Sequence, residues 1–217
     1  SGASGTFAGG VNTATTNASG VATSATFTAN STAGGPYNVV ASATGATSAN
    51  FALTNIAGPA AKVTATSGTP QSASINTAFA ASLVATVTDA GNNPVSSVVV
   101  TFTPPASGAS GTFAGGVNTA TTNASGVATS ATFTANATAG GPYNVVASAT
   151  GATSANFSLT NTSGTPAKVT ATSGSGQNAT INTAFAAPLV ATVTDAGNNP
   201  VSGVVVTFTP PASGASG

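Results

Sequence analysis

Residues 83–105 read LVATVTDAGNNPVSSVVVTFTPP, and the stretch returns at 189–211 as LVATVTDAGNNPVSGVVVTFTPP. Leu83, Ala85 and Val87 alternate with Val84, Thr86 and Thr88, and Val98, Val100 and Phe102 alternate with Val99, Thr101 and Thr103. Period-two patterning with β-branched residues on both sides of a Gly/Asn/Pro cluster predicts two strands joined as a hairpin. The cluster at 89–94, Asp-Ala-Gly-Asn-Asn-Pro, suits the turn. Asp and Asn hydrogen-bond their own backbone, Gly and Asn tolerate positive φ, and Pro fixes φ.

Working outward, the whole chain recurs at an offset of 106 residues. Residues 1–11 and 107–117 both read SGASGTFAGGV, and 213–217 begin a third copy. Of 111 aligned pairs only 12 differ, among them Ser82/Pro188, Ser97/Gly203 and Ile56/Thr162, so the copies share one fold. A period of this length exceeds a solenoid unit and fits a β-sandwich domain of about 100 residues. The chain therefore divides into the second half of one repeat (1–58), a complete repeat (59–164) and the first half of the next (165–217). In the complete repeat the pattern predicts strands at 62–66, at 77–81 leading into 83–88, at 98–103, near 112–114 and 118–122, at 127–134, at 143–149 and at 154–160. Leu83, Val87, Val98, Val100, Phe102, Phe133, Tyr143, Val145, Phe157 and Leu159 are the inward candidates, with Val63 and Ala65 on the first strand. On 127–134 the inward set is Val127, Ala131 and Phe133. No 3.6-residue periodicity is present, so the expected class is all-β, in tandem immunoglobulin-like sandwiches. The junctions 55–60 (NIAGPA) and 161–166 (NTSGTP) are short and carry Pro, which limits bending.

Composition excludes several functions. The 217 residues include two Lys, two Asp and no Arg, Glu, His, Cys, Met or Trp. Charged residues make up 2% of the chain, against about 25% in an ordinary soluble domain. The formal net charge is zero, so nothing steers the chain toward nucleic acid or an anionic membrane. No apolar run approaches the ~20 residues of a membrane span. The wealth of Val and Thr and the ten Phe oppose disorder. Without cysteine there is no disulfide framework. A coat of Ser, Thr, Asn and Gly without charge repulsion favours association.

Catalysis needs a group titrating near working pH, a metal or an activated nucleophile. One Asp per repeat, with no His, Cys or Glu, builds neither a carboxylate pair nor a triad. No catalytic, cofactor-binding or metal-ligating residue and no cofactor is expected. Asp89 with Asn92 and Asn93, and likewise Asp195, offer oxygens of the kind calcium takes, but one carboxylate beside a proline turn reads as a turn. Lys62 and Lys168 lack the acidic catalyst an isopeptide crosslink needs, and read as strand residues with solvated ammonium groups. The Thr-x-Thr pairs Thr26/Thr28, Thr86/Thr88 and Thr101/Thr103 read as ordinary outward strand faces. Asn-x-Ser/Thr sequons at Asn17, Asn30, Asn123, Asn136, Asn156, Asn161 and Asn178 occur as often as the Ser/Thr content alone gives, and leave glycosylation open.

The run V-T-D-A-G-N-N-P-V, then V-V-V-T-F, then T-N-A-S-G-V-A-T, then G-G-P-Y-x-V recurs in order across the whole chain. In this it resembles the bacterial immunoglobulin-like domain of the invasin/intimin group, although the charged residues common in such domains are nearly absent. The resemblance implies tandem arrays at the cell surface or outside the cell, with a structural or adhesive role and no particular adhesion target. The leading expectation is a non-catalytic structural repeat, the body of an extracellular filament, stalk or surface layer, whose partner is itself. The alternative is a spacer segment of a large cell-surface adhesin that presents a distal ligand-binding tip. The half-repeats 1–58 and 165–217 are expected to be completed either by continuation of the same chain or by exchange between chains, head to tail.

Overall fold

In the computed structural model, which describes residues 2–212, the chain is all-β. The start of the third copy, 213–217, lies outside the described residues. The first half-repeat holds β1 (Gly5–Phe7), β2 (Phe27–Ala29), β3 (Gly34–Ala41) and β4 (Ala49–Asn55). The complete repeat opens with β5 (Lys62–Ser67), β6 (Gln71–Ser74), β7 (Val84–Thr88), β8 (Val99–Thr103) and β9 (Gly111–Phe113). It continues with β10 (Thr119–Thr121), β11 (Val127–Thr129), β12 (Phe133–Ala135), β13 (Gly140–Ser148) and β14 (Ala155–Thr162). The last half-repeat holds β15 (Lys168–Ser173) and β16 (Val190–Thr194). Single 3-10 turns follow β1 and β9, and no helix among the described residues is long and apolar enough to cross a membrane.

The complete repeat builds a five-stranded sheet in the order β10-β8-β13-β14-β6 and a three-stranded sheet in the order β11-β7-β5, with β9 and β12 paired separately. Every pairing is antiparallel except β14 with β6. Inward residues of both sheets meet in one core. Five phenylalanine rings cross it in a chain: Phe79 to Phe133 at 5.6 Å, Phe133 to Phe113 at 4.6 Å, Phe113 to Phe102 at 6.1 Å and Phe102 to Phe157 at 5.9 Å. A fully buried phenylalanine contributes roughly 1.5–3 kcal/mol, so this chain of rings is a leading source of stability. Leu83, Val87, Val100, Phe102, Phe133, Val145, Phe157 and Leu159 are fully buried, as their alternation predicts, while Val98 and Tyr143 are half-buried against the core.

The hairpin expectation is corrected. β7 and β8 do not pair: β7 lies between β11 and β5, and β8 between β10 and β13. The turn closes locally, with a bridge from Thr88 to Pro94 and Val95 N–H donating to Val87 O at 3.0 Å. The chain then turns away at Ser97, whose φ is +62°. Ser97 N–H donates to Thr122 O and Val98 N–H to Thr122 Oγ1, both at 2.9 Å, which hands the chain to the opposite sheet. Burial alone permits either arrangement, since the β13–β14 hairpin has Val145, Phe157 and Leu159 fully buried. What diverts the chain is the left-handed turn at Ser97 and its bonds to Thr122, after which Val100 and Phe102 enter the core from the second sheet.

Three further strands differ from expectation. The strand expected at 127–134 is broken into β11 and β12. At the break Ser130 Oγ accepts from Leu83 N–H at 3.0 Å, and on β11 the fully buried residue is Ala128, with Val127 only half-buried. The break shifts the inward parity. The 77–81 segment forms no named strand; pairing begins earlier at β6, and only Ala78 bridges, to Thr134. β9 and β10 serve different partners, β12 and β8, on either side of the 3-10 turn Ala114–Gly116.

Candidate functional site: the boundary between repeats

The inward alternation Leu83, Ala85, Val87 continues one step to Asp89, and Asp89 is accordingly buried. A buried carboxylate is stable only when its oxygens are hydrogen-bonded or paired. Asp89 Oδ1 accepts from Gly91 N–H at 2.9 Å and Asn93 N–H at 2.8 Å. Asp89 Oδ2 accepts from Gly58 N–H at 2.8 Å and from Asn93 Nδ2 at 2.9 Å. Gly58 belongs to the preceding repeat, so the carboxylate reaches across the boundary.

Asn93 reaches across as well. Its Oδ1 accepts from Ala33 N–H at 2.8 Å and its Nδ2 donates to Ser31 O at 2.8 Å. One turn thus grips the β2–β3 loop and the linker of the repeat before it. Gly91 permits the approach: a Cβ there would lie 2.8 Å from Ser31 O, closer than van der Waals contact allows. Asn92, with φ +63°, serves the turn through its backbone, donating to Asp89 O at 3.0 Å.

The arrangement recurs at the next boundary. Asp195 Oδ2 accepts from Gly164 N–H at 2.8 Å, Asn199 Oδ1 from Ala139 N–H at 2.8 Å, and Asn199 Nδ2 donates to Ala137 O at 2.9 Å. A Cβ on Gly197 would lie 2.9 Å from Ala137 O. The linkers are equally taut, since Ala61 N–H already pairs with Thr88 O and Ala167 N–H with Thr194 O, both at 2.8 Å. The chain's two carboxylates, one per repeat, therefore both sit at repeat boundaries.

The receiving loop is itself braced. Asn161 continues the inward alternation Phe157, Leu159 and is 1% exposed. Its Nδ2 donates to Ser110 O at 2.9 Å, Asn136 Oδ1 at 3.0 Å and Thr138 O at 3.1 Å, while its Oδ1 accepts from Tyr143 OH at 2.7 Å. Thr138 lies between the two residues that Asn199 grips. Asn55 makes the matching bonds to Ser4, Asn30, Thr32 and Tyr37. This brace was visible to the sequence only as a sequon; the usable signal was its parity.

Electrostatics follow the donors. The Asn93 side-chain amide, and next the Gly58 amide, hold the Asp89 carboxyl below its ordinary 3.8 against the opposing effect of burial. At Asp195 burial is the largest influence and acts upward, but the amides of Gly164, Asn199 and Gly197 together outweigh it and the carboxyl again lies below 3.8. Burial pushes the Tyr143 phenol up to about 12. Amide N–H groups occupy the carboxylate lone pairs that a cation would take.

The remaining sequence candidates lie elsewhere. Lys62 and Lys168 are exposed at the starts of β5 and β15, opposite Thr88 and Thr194. Thr86 faces Thr64 on one side and Val127 on the other, Thr101 faces Thr119, and Thr103 faces Val146, so the outward rows mix residue types. Among the sequons, Asn161 is buried, Asn30 and Asn136 hold loops, Asn17 and Asn123 close turns, and Asn156 and Asn178 are exposed. Comparison of the chain with protein-family models, with curated proteins and with solved structures returns no match.

Proposed function

We propose that the chain is a non-catalytic structural protein, a run of tandem immunoglobulin-like β-sandwiches about 106 residues long that forms the body of an extracellular filament, stalk or surface layer. The observation that carries this reading is the repeated boundary. Each repeat places its one carboxylate and the Asn four residues later across the junction, onto equivalent backbone positions both times. A device that fixes the angle between neighbours matters to a chain whose task is length and stiffness. Strand order supports the immunoglobulin-like part of the reading, since β5, β7 and β11 lie in one sheet and β8, β13 and β14 in the other.

Single-molecule energy transfer tests it without interference from association, because labelling at Ser48→Cys and Ser107→Cys is unambiguous in a cysteine-free chain. One narrow distance population across the 58/59 boundary is expected, broadened by Asn93→Ala. A broad population in the otherwise unaltered chain, or one indifferent to Asn93→Ala, refutes a stiff array. The adhesin-spacer alternative shares this joint. Electron microscopy separates the two, because a spacer gives beaded single strands and a filament gives ordered fibres of many chains.

A further inference from the structure

Along β6 and one residue beyond it the chain alternates, with Ala73 and Ile75 buried and Ser72 and Ser74 exposed. Ala73 belongs to the core of the complete repeat. Ile75, the only isoleucine in 59–164, is 8% exposed yet lies outside that core. What lies against it is the boundary with the next repeat. A Cβ on Gly164 would sit 3.5 Å from both Ile75 Cγ1 and Cδ1, and 3.6 Å from Asp195 Oδ2. The isoleucine and the carboxylate therefore flank one face of the linker, where Gly164 N–H donates to Asp195 Oδ2 at 2.8 Å.

The backbone around Ile75 reaches both parts of the receiving surface. Ile75 N–H donates to Thr162 O at 2.9 Å, which carries the parallel β6–β14 pairing to the last residue of β14, just before the linker. Asn76, at φ +58°, turns the chain, and its N–H is shared between Ala135 O at 3.1 Å and Asn136 O at 3.3 Å. Ala135 N–H returns to Thr77 O at 2.9 Å, and Thr77 Oγ1 closes the corner by donating to Ser74 O at 2.6 Å. Ala137 and Ala139, which Asn199 grips, follow directly along the chain. One corner, 74–77, thus holds the linker on one side and the gripped loop on the other. An apolar side chain set there keeps water from competing for the amide–carboxylate bond, and the lower local dielectric strengthens it.

We propose that Ile75 is a positioning residue of the joint: it seals the Gly164–Asp195 hydrogen bond and couples the docking of β6 on β14 in one repeat to the grip on the next. This deepens the structural-array reading and rests on it. β6 is the edge strand of the five-stranded sheet and pairs with β14 alone, so it can leave without breaking any other pairing of that sheet. When it leaves, the corner and its isoleucine leave with it, and the bond to Asp195 is opened to water. The joint is therefore tight only while the edge strand of the preceding repeat is in place.

Amide hydrogen exchange on the 217-residue protein tests the proposal. Ile75→Ala is expected to lower protection at Gly164 about tenfold relative to Val87, the worth of one hydrogen bond. Gly58, which Ile75 does not approach, is the internal reference and keeps its protection. Ile75→Val, one methyl smaller, restores most of the loss at Gly164. A second variant reads the same contact from the other side. Gly164 has no positive φ, and its Cβ would meet Ile75 at an ordinary contact distance, so Gly164→Ala is expected to fold and to raise protection at 164. That gain disappears when Ile75→Ala is added. Protection at Gly164 that ignores Ile75→Ala, or falls no more than at Val87, overturns the seal. So does a gain that survives Ile75→Ala, and should Ile75→Ala not fold, lower protection at 164 in Gly164→Ala alone overturns it. Those results leave the joint itself standing, whereas a Gly164 amide unprotected in the unaltered protein overturns the joint and the seal together.

Discussion

At the scale of the residue, the chain's few polar specialists do tasks that composition alone would not assign. Asp89 and Asp195 have no cationic partner in their hydrogen-bond sets and are held by amides instead. Their folded pKa values lie below 3.8, so the ionised form is favoured in the joined state. A carboxyl with a depressed folded pKa contributes stability that is complete above its unfolded value and lost as pH falls through its folded value. The joint is therefore expected to be indifferent to pH across the neutral range and to loosen in acid below 3.8. Hydrogen exchange at the Gly58 and Gly164 amides reports it: their protection, relative to Val87, falls as pH drops below that value. Protection that holds unchanged to pH 2 contradicts the assignment. Ser97 shows a different kind of specialisation. It holds φ +62°, and the next copy places Gly203 there at φ +72°, where the left-handed region carries no Cβ penalty.

At the scale of the element, strands fall into those that form with a neighbour close in sequence and those that require the opposite half. The hairpins β3–β4 and β15–β16 persist in half-repeats, whereas counterparts of β6, β8, β10 and β11 do not. The end of β14 ties these levels together, because Asn161 pins the loops after β12 and before β9 to the sheet. Removing its side chain leaves Ser110 O, Thr138 O and Tyr143 OH without that partner, and of these residues Ser110 is buried. An unsatisfied buried polar group costs about 1–3 kcal/mol, so Asn161→Ala is expected to destabilise the complete repeat by an amount in that range. Denaturant unfolding followed by tyrosine fluorescence measures it. A loss below about 0.5 kcal/mol, the range of an ordinary surface substitution, would show that the brace is dispensable.

At the scale of the whole molecule, trypsin has two places to cut, Lys62 and Lys168. Both open strands, but the strands differ in cover. β5 belongs to a three-stranded sheet over the core, with Val63 3% exposed, whereas β15 pairs only with β16 and all six of its residues are exposed. Proteolysis requires backbone that can leave its pairing. Cleavage of the 217-residue chain is accordingly expected at Lys168 well before Lys62. Mass spectrometry of a digestion time course reads the order of the two cuts. Equal rates at the two lysines would show that the half-repeat is as well covered as the complete one.

The sequence by itself determined the all-β class, the 106-residue period and most of the inward set, because alternation and repetition are properties of neighbouring residues. It also carried two signals that parity makes readable, Asp89 after Val87 and Asn161 after Leu159, both polar and both on the inward side. Tertiary structure alone decided which sheet each strand joins. Alternation says which side of β7 and β8 faces inward, but both a hairpin and a pair of opposed strands satisfy it. The choice fell to long-range pairing, since Ser97 and Val98 bond to Thr122 and β8 then pairs with β10 and β13. Tertiary structure also decided what Asp89 and Asn93 hold. Their partners, Ser31, Ala33 and Gly58, lie some 30 to 60 residues earlier and meet the turn only once two repeats are stacked end to end.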